Sequence, residues 1–388
     1  MNISYVDWLR ERVGSRKVFL PFATVVLRDS QDRILLQQRT DFDFWGMPGG
    51  VLELDEDWET CARRELSEET GLEVGILRLV GVYTDPRYDV TYPNGDQVQQ
   101  FTICFEGAVC GGEMKPDGVE SRDQLFLPAE ELASYPIPRW YRDMIADALQ
   151  DGSPSFRSPF ALAQTRDQIS SVRPFVGPAR FSAVGAAFII TREDGHILML
   201  KQAAEGAWRP PAGFCQLGEN VAHTAVRVAR QETGLRIDPQ RILGVYATPK
   251  LNVTNTNGDN IRHVGVVFHT QVEENASKLD NRAITIAAWL TKREAIARSP
   301  QPFRWLYRKV LAGLPDKCVD MVSCGQVTNF RNLLKTGPDR HSDIDGADLV
   351  KGKVKTWVFM GGKIPKGRDA NLFHDGPAAA YAIEHWPT

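Results

Sequence analysis

Apolar and polar positions along the early part of the chain change period several times, and each change predicts an element. "VFLPFATVVLRD" and "RILLQQR" are apolar runs on either side of a polar turn at Ser30–Asp32, the pattern of two strands. A Gly-rich loop, "GMPGG", separates them from a segment of helical period, in which Trp58, Cys61 and Ala62 share one stripe. Asp55 or Asp57 is placed to cap that helix, and Gly71 to end it in the left-handed conformation. "GILRLVGVYTD" and "VQQFTICFEGAV" predict further strands, and a closing helix is expected over Arg139–Leu149. Strands interleaved with helices predict an α/β architecture, a sheet with helices packed on its faces.

The pattern then repeats. "FWGMPGG" at Phe44 returns as "AWRPPAG" at Ala207, and "EETGL" at Glu68 as "QETGL" at Gln231. "GVYTDP" at Gly81 returns as "GVYATP" at Gly244, and "NGD" at Asn94 as "NGD" at Asn257. All four offsets are 163 residues (207 − 44, 231 − 68, 244 − 81, 257 − 94), so the chain carries a tandem duplication. The copies are expected to form domains over 1–150 and 178–312, joined by a linker at 151–177 whose middle has the makings of a short helix. A third segment, 315–388, matches neither copy.

Composition narrows the partners. A net charge of −3 gives no general attraction to nucleic acid or to an anionic membrane, so neither is expected to bind. No apolar run reaches the length that spans a bilayer, and "MNISYVDWLRERVGSRK" lacks an apolar signal core. Six cysteines without a CxxC pair predict a reduced, cytoplasmic protein rather than a disulfide scaffold or zinc site.

The chemistry is concentrated in "GGVLELDEDWETCARRELSEETGL", Gly49–Leu72. Glu65, Glu68 and Glu69 fall at i, i+3 and i+4 on one helix face, continuing the stripe that begins with Trp58. Like charges at that spacing repel. A solvated acidic face is one reading; a carboxylate cluster for a hard divalent cation is the other, since magnesium takes one or two carboxylates and bridges to substrate phosphates.

Gly50, Glu56 and the run Arg64-Glu65-Leu66-Ser67-Glu68-Glu69-Thr70-Gly71-Leu72 resemble the Nudix box at each defined position. The resemblance extends through the first copy, from "LLQQR" to "DGVESRDQLFLPAEEL". It implies an α/β/α sandwich and hydrolysis of a pyrophosphate bond in a nucleoside diphosphate linked to another group, with Mg2+ or Mn2+. It further implies that Glu65, Glu68 and Glu69 hold metal with the Gly49 carbonyl, that Arg64 braces the carboxylates, and that Glu56 is structural. Glu120 is the candidate general base from a later loop. Phe44, Trp45, Tyr88 and Tyr92 are candidates to stack on a base, and Trp45, Tyr88 and Arg39 are the candidate substrate-binding set.

The second copy keeps the frame in Gly213, Glu219, Arg227, Glu232, Gly234 and Leu235. Glu65 is replaced by Val228 and Glu68 by Gln231, so this copy is expected to have lost hydrolysis. The leading expectation is a metal-dependent pyrophosphohydrolase acting through its first domain on a nucleotide-type small molecule, with a homodimer possible. The alternative is a nucleotide-binding sensor or scaffold that uses the second domain.

The last segment predicts a partial parallel α/β unit. "TN" at Thr328, "MGG" at Met360 and "N...D..AA" from Asn371 resemble the middle of a nucleoside hydrolase. That resemblance implies sugar-binding positions at Met360, Asp369 and Asn371 and a calcium ligand at the Cys324 carbonyl. Without an aspartate-rich calcium motif, no glycosidase activity is expected.

Overall fold

The structure is a computed structural model that describes residues 3–116, 118–150, 152–156, 165–202, 207–254, 258–273, 285–301, 303–312, 314, 319–323, 328–338, 345–359 and 376–385. The first repeat runs α1 (Tyr5–Val13), β1 (Val18–Arg28), β2 (Ile34–Arg39), β3 (Trp45–Gly46), β4 (Gly49–Val51), α2 (Trp58–Thr70), β5 (Leu72–Tyr83), β6 (Val90–Thr91), β7 (Gln97–Gly112), β8 (Ser121–Leu127) and α3 (Arg139–Ala148). A short strand, β9 (Ser155–Phe156), pairs in parallel with β5 at the sheet edge. The second repeat runs β10 (Arg166–Asp167), α4 (Gln168–Val176), β11 (Phe181–Arg192), β12 (Ile197–Gln202), β13 (Trp208–Arg209), β14 (Ala212–Phe214), β15 (Gln216–Leu217), α5 (Val221–Thr233), β16 (Arg241–Thr254), β17 (Asn260–Val272), β18 (Thr285–Leu290), α6 (Lys292–Arg298) and α7 (Phe303–Ala312).

In the first sheet β1 pairs antiparallel with β2 and parallel with β7, and β5 closes on the far side of β7. Successive residues of β1 face opposite ways. Val25 and Leu27 pack under α2, with Cys61, Ala62 and Leu66, whereas Val26 packs under α3, with Met144 and Ile145. The result is a helix–sheet–helix sandwich. The second repeat builds it again: the register Val18↔Val98 of β1 on β7 returns as Phe181↔Ile261 of β11 on β17, shifted by the same 163 residues (181 − 18, 261 − 98).

That shift corrects the linker. Helix α4 lies where α1 does (168 − 5, 176 − 13), so this part of 151–177 is the opening element of the second repeat. The sequences barely agree, but Arg10 and Arg173 do the same work. Arg10 donates to the carbonyls of Gly14, Arg16 and Gln97; Arg173 donates to those of Gly177, Ala179 and Asn260.

The two sandwiches form a pseudo-twofold pair. Helix α1 packs on α4, and β1 approaches β11. The α2 side of the first sheet and the α5 side of the second share one apolar core that includes Phe19, Trp58, Phe101, Val184, Val221 and Phe268. Matching positions reach across in both directions. Gln99 accepts from the Gly218 N–H at 2.7 Å and donates to the Glu219 carbonyl at 2.7 Å, while Arg262 donates to the carbonyls of Glu53 and Glu56. Because 262 − 99 and 219 − 56 are both 163, these are one contact made twice, the mark of an isologous interface.

The C-terminal segment adds β19 (Val319–Ser323), α8 (Thr328–Leu334), α9 (Gly346–Lys353), β20 (Val354–Phe359) and α10 (Gly376–Glu384), with β19 and β20 parallel. Leu334, Val350 and Ala382 form a small core of their own. Met360, Asp369, Asn371 and Cys324, the positions singled out there, lie outside the described residues. Cys61, Cys104, Cys110 and Cys215 are free thiols. No helix among the described residues is long and apolar enough to cross a membrane.

Candidate active site

The acidic helix is built as its sequence predicts. Asp57 is the N-cap, accepting from the Thr60 N–H at 2.9 Å, and Gly71 ends the helix at φ 72°. Three glutamates on one face meet three environments. Glu69 is buried, accepting from the Gly49 N–H at 2.9 Å and from Gln37 Nε2 at 3.0 Å. Glu65 is largely enclosed, and Glu68 stands out in solvent. Burial pushes Glu69 up to about 8 and Glu65 up to about 7, each further raised by its neighbours' negative charge, including that of Glu120.

Arg64 connects the set. It donates from Nε to Glu56 Oε1 at 2.5 Å and from Nη2 to Glu56 Oε2 at 2.9 Å. Its Nη1 lies 2.9 Å from Glu65 and 3.0 Å from Glu68. The glycines below make room. A Cβ on Gly50 would lie 2.2 Å from Glu65 Cδ, and one on Gly49, at φ 150°, 2.3 Å from the Ala23 carbonyl oxygen.

The donor set fits a divalent cation of magnesium type. Glu69 Oε1 is buried without a hydrogen-bond partner, and the charge of Glu65 lies close enough to raise the pKa of Glu69. Two carboxylates, with water and substrate phosphate completing the shell, are what magnesium commonly takes. Among the described residues no group of three or more His, Cys, Asp or Glu side chains already converges on one point, and Glu68 is turned toward Arg64. To join the set, Glu68 would have to swing off that guanidinium.

Beside the carboxylates lies a tight cleft of about 40 Å3 lined by Arg39, Phe42, Phe44, Gly49, Tyr92 and Tyr141, among others. Packed rings close it: Phe42 stacks on Phe44 at 4.9 Å and lies tilted against Tyr92 at 5.3 Å. Arg39 sits in its wall, gripped by Asp41 through two 2.7 Å bonds. Arg39, Phe44 and Tyr92 are thus brought to the cleft. Tyr88 is not: it is buried under α3, its hydroxyl on Asp143, and has no face to offer a base. Trp45 does not line the cleft either, packing edge-on against Tyr135 at 5.4 Å. Phe42 and Tyr141 were missed because one ring among many near the box carries no distinguishing sequence signal. Gln37 was missed inside a strand, although a glutamine in the apolar "ILLQQR" was a visible anomaly.

The second domain keeps the frame and replaces the chemistry. Glu219 holds Arg227 at 2.5 and 2.9 Å, as Glu56 holds Arg64. Val228 is buried against Gly213, where the first domain has Glu65 on Gly50. Glu232, the counterpart of Glu69, accepts from the Ala212 N–H at 3.2 Å but is neutralised by Arg209 at 2.6 and 3.0 Å. Its carboxylate is thereby satisfied without a metal.

The NUDIX domain family matches residues 19–148 and again 181–314. A MutT-like protein of Streptomyces ambofaciens is 34% identical over 136 residues, covering 35% of this chain and 80% of that protein. An ADP-ribose pyrophosphatase of Methanocaldococcus jannaschii is 35% identical over 107 residues, covering 27% of this chain and 59% of that protein. An RNA pyrophosphohydrolase of Roseobacter denitrificans is 28% identical over 137 residues, covering 32% and 86%.

Proposed function

Because the chain belongs to the Nudix family, hydrolases of phosphorus anhydrides, we propose that its first domain cleaves the diphosphate of a nucleoside diphosphate linked to another group. The observation that carries this is the pair of enclosed carboxylates, Glu65 and Glu69, held against Gly50 and Gly49, with one oxygen of the buried Glu69 unpartnered. Two of the relatives are named for pyrophosphate hydrolysis, one on ADP-ribose and one on RNA, so their names support the bond and not one substrate.

Glu65 and Glu69, with the Gly49 carbonyl and a reoriented Glu68, are the residues that would hold Mg2+ or Mn2+. Such an ion supplies neutralisation of phosphate charge and Lewis acidity. The protein's own groups do the rest. Arg64 keeps the carboxylates from splaying apart. Glu120, whose backbone carbonyl accepts from the Thr40 N–H at 3.0 Å, takes the proton of the attacking water on its carboxylate. Arg39 shares its guanidinium between Asp41 and a phosphate oxygen, and Phe42, Phe44 and Tyr92 part to admit and stack the base. The deciding experiment is a screen of nucleotide-linked diphosphates with and without magnesium, read by phosphate release. No cleavage of any member, at saturating metal, would end the proposal.

A specific feature supports a second, additional role. The second domain holds a cavity of about 620 Å3 where the first has its tight cleft. Gly185, Ala187 and His263 line it at the positions that Phe22, Thr24 and Gln100 occupy in the first domain, and at the first two of these a smaller residue has opened the wall. Phe214, Tyr246, Phe303 and Tyr307 give aromatic faces. Burial holds His263 down to about 4, leaving it neutral, with Nε2 unpartnered. With Arg209 already neutralised, the cavity suits an uncharged nucleoside better than a polyphosphate. Calorimetric titration of the full chain with nucleosides tests this, with Phe303→Ala expected to weaken binding; absence of binding at millimolar nucleoside removes the sensor reading.

A further inference from the structure

Arg262, on β17, is the largest of the fully buried side chains. Its guanidinium crosses the interface and donates to the carbonyls of Glu53 and Glu56 in the first domain. No carboxylate among the described residues lies in ion-pair range of it, and its Nε has no partner. Burial lowers its pKa to about 10, so it remains a cation at neutral pH. A buried cation hydrogen-bonded only to backbone oxygens, with the charges of Asp55 and Glu56 acting from beyond ion-pair range, is a costly way to close an interface.

The mirror contact shows that the interface does not require it. Gln99, the same position in the first domain, reaches the second domain's corresponding loop with a neutral amide, at 2.7 Å to Gly218 and 2.7 Å to Glu219. The cation occurs on the side where the loop belongs to the acidic helix with its carboxylates intact. Glu56, whose carbonyl Arg262 grips, holds Arg64 with its carboxylate, and Arg64 in turn holds Glu65 and Glu68. One unbroken series of bonds thus runs from the second domain to the glutamates of the first.

We propose that Arg262 is a positioning residue for the hydrolysis performed by the first domain, fixing the loop of Glu53 and Glu56 and through it Arg64 and the glutamates. The second domain is then a built-in half of the active enzyme, supplying order to a site it no longer carries itself. This rests on the first domain being the hydrolase. Small displacements of positioned groups cost rate rather than binding, so the loss falls on kcat.

The test uses the full chain and three variants: Arg262→Gln, Arg262→Lys and Gln99→Ala. Arg262→Gln installs the residue the mirror contact uses and is expected to fold. It should lower kcat by about tenfold or more, leave KM within about threefold, and raise the magnesium concentration needed for half-maximal rate. Arg262→Lys, retaining the charge, should recover part of the rate. Gln99→Ala should lower the Tm and leave kcat unchanged. The proposal is overturned by Arg262→Gln with wild-type kcat, by Gln99→Ala losing rate as much, or by failure of both Arg262 variants to fold, which would make the role structural. Inactive wild-type protein would instead refute the first domain's assignment, a separate outcome.

Discussion

Glu65, Glu68 and Glu69 stand on one face of one helix, yet they differ in kind. Glu69 and Glu65 are enclosed, with pKa values near 8 and 7, while Glu68 is in water against Arg64. In metal-free protein the folded state keeps protons on Glu65 and Glu69 that the unfolded chain releases from about pH 4.5 upward. A raised carboxylate pKa therefore stabilises the fold at low pH, and that stability is lost as pH rises through about 7 to 8. The expected outcome is a Tm, set by this pair, that falls between about pH 5 and 8 without metal. Magnesium should raise Tm more at the upper end, because it binds the deprotonated pair. Calorimetry in chelator and in magnesium checks both signs, and the double Glu65→Gln, Glu69→Gln variant should flatten the metal-free trend. Glu69→Gln alone should cut turnover by orders of magnitude with Tm retained; near wild-type turnover at saturating magnesium would place the active site elsewhere.

Helix α2 and the loop before it act as one element. The Asp57 cap and the Gly71 stop fix its ends, and the apolar stripe from Trp58 to Leu66 fixes its rotation. Asp57→Ala should cost about 1 kcal/mol by denaturant unfolding. Gly50→Ala is a sharper probe. Its Cβ would lie within 2.2 Å of the Glu65 carboxyl carbon, the far end of a side chain, so the helix can stay while the carboxylate is driven off. Turnover should fall far more than Tm, and equal losses of both would show that strand β4 itself had moved. The second domain performs a related substitution naturally: Val228 lies against Gly213, and the helix α5 keeps its cap and length without the chemistry.

As a molecule, the chain is a pseudo-dimer made from one polypeptide. The shared core and the crossed contacts of Gln99 and Arg262 make separate melting of the repeats unfavourable. Differential scanning calorimetry of a chain ending near residue 314 should therefore show a single transition; two resolved transitions would mean that the interface does not couple the domains. The same truncation should leave the hydrolytic rate within a few-fold of the full chain, since the C-terminal segment packs around Leu334, Val350 and Ala382 rather than on α2. A large loss of rate would give that segment a role that its fold does not suggest.

The sequence by itself determined the duplication, the sheet with helices on its faces in each copy, the acidic helix with its stop and a cap at Asp55 or Asp57, and the loss of carboxylates in the second copy. These follow from period, spacing and residue type, which are local. It gave the wrong weight to Tyr88 and Trp45, because whether a ring faces a cleft or a core depends on which layer covers it. It read α4 as linker because little more than Arg173, Val176 and Gly177 survived from α1, and those are visible as a repeat only once both helices are seen bonded alike. It was silent on Arg262, an arginine in a strand, since the carbonyls it holds lie some two hundred residues earlier in the chain. Local chemistry can be read along a chain; which groups become neighbours across two folded domains is decided only when both sheets bury their faces against each other.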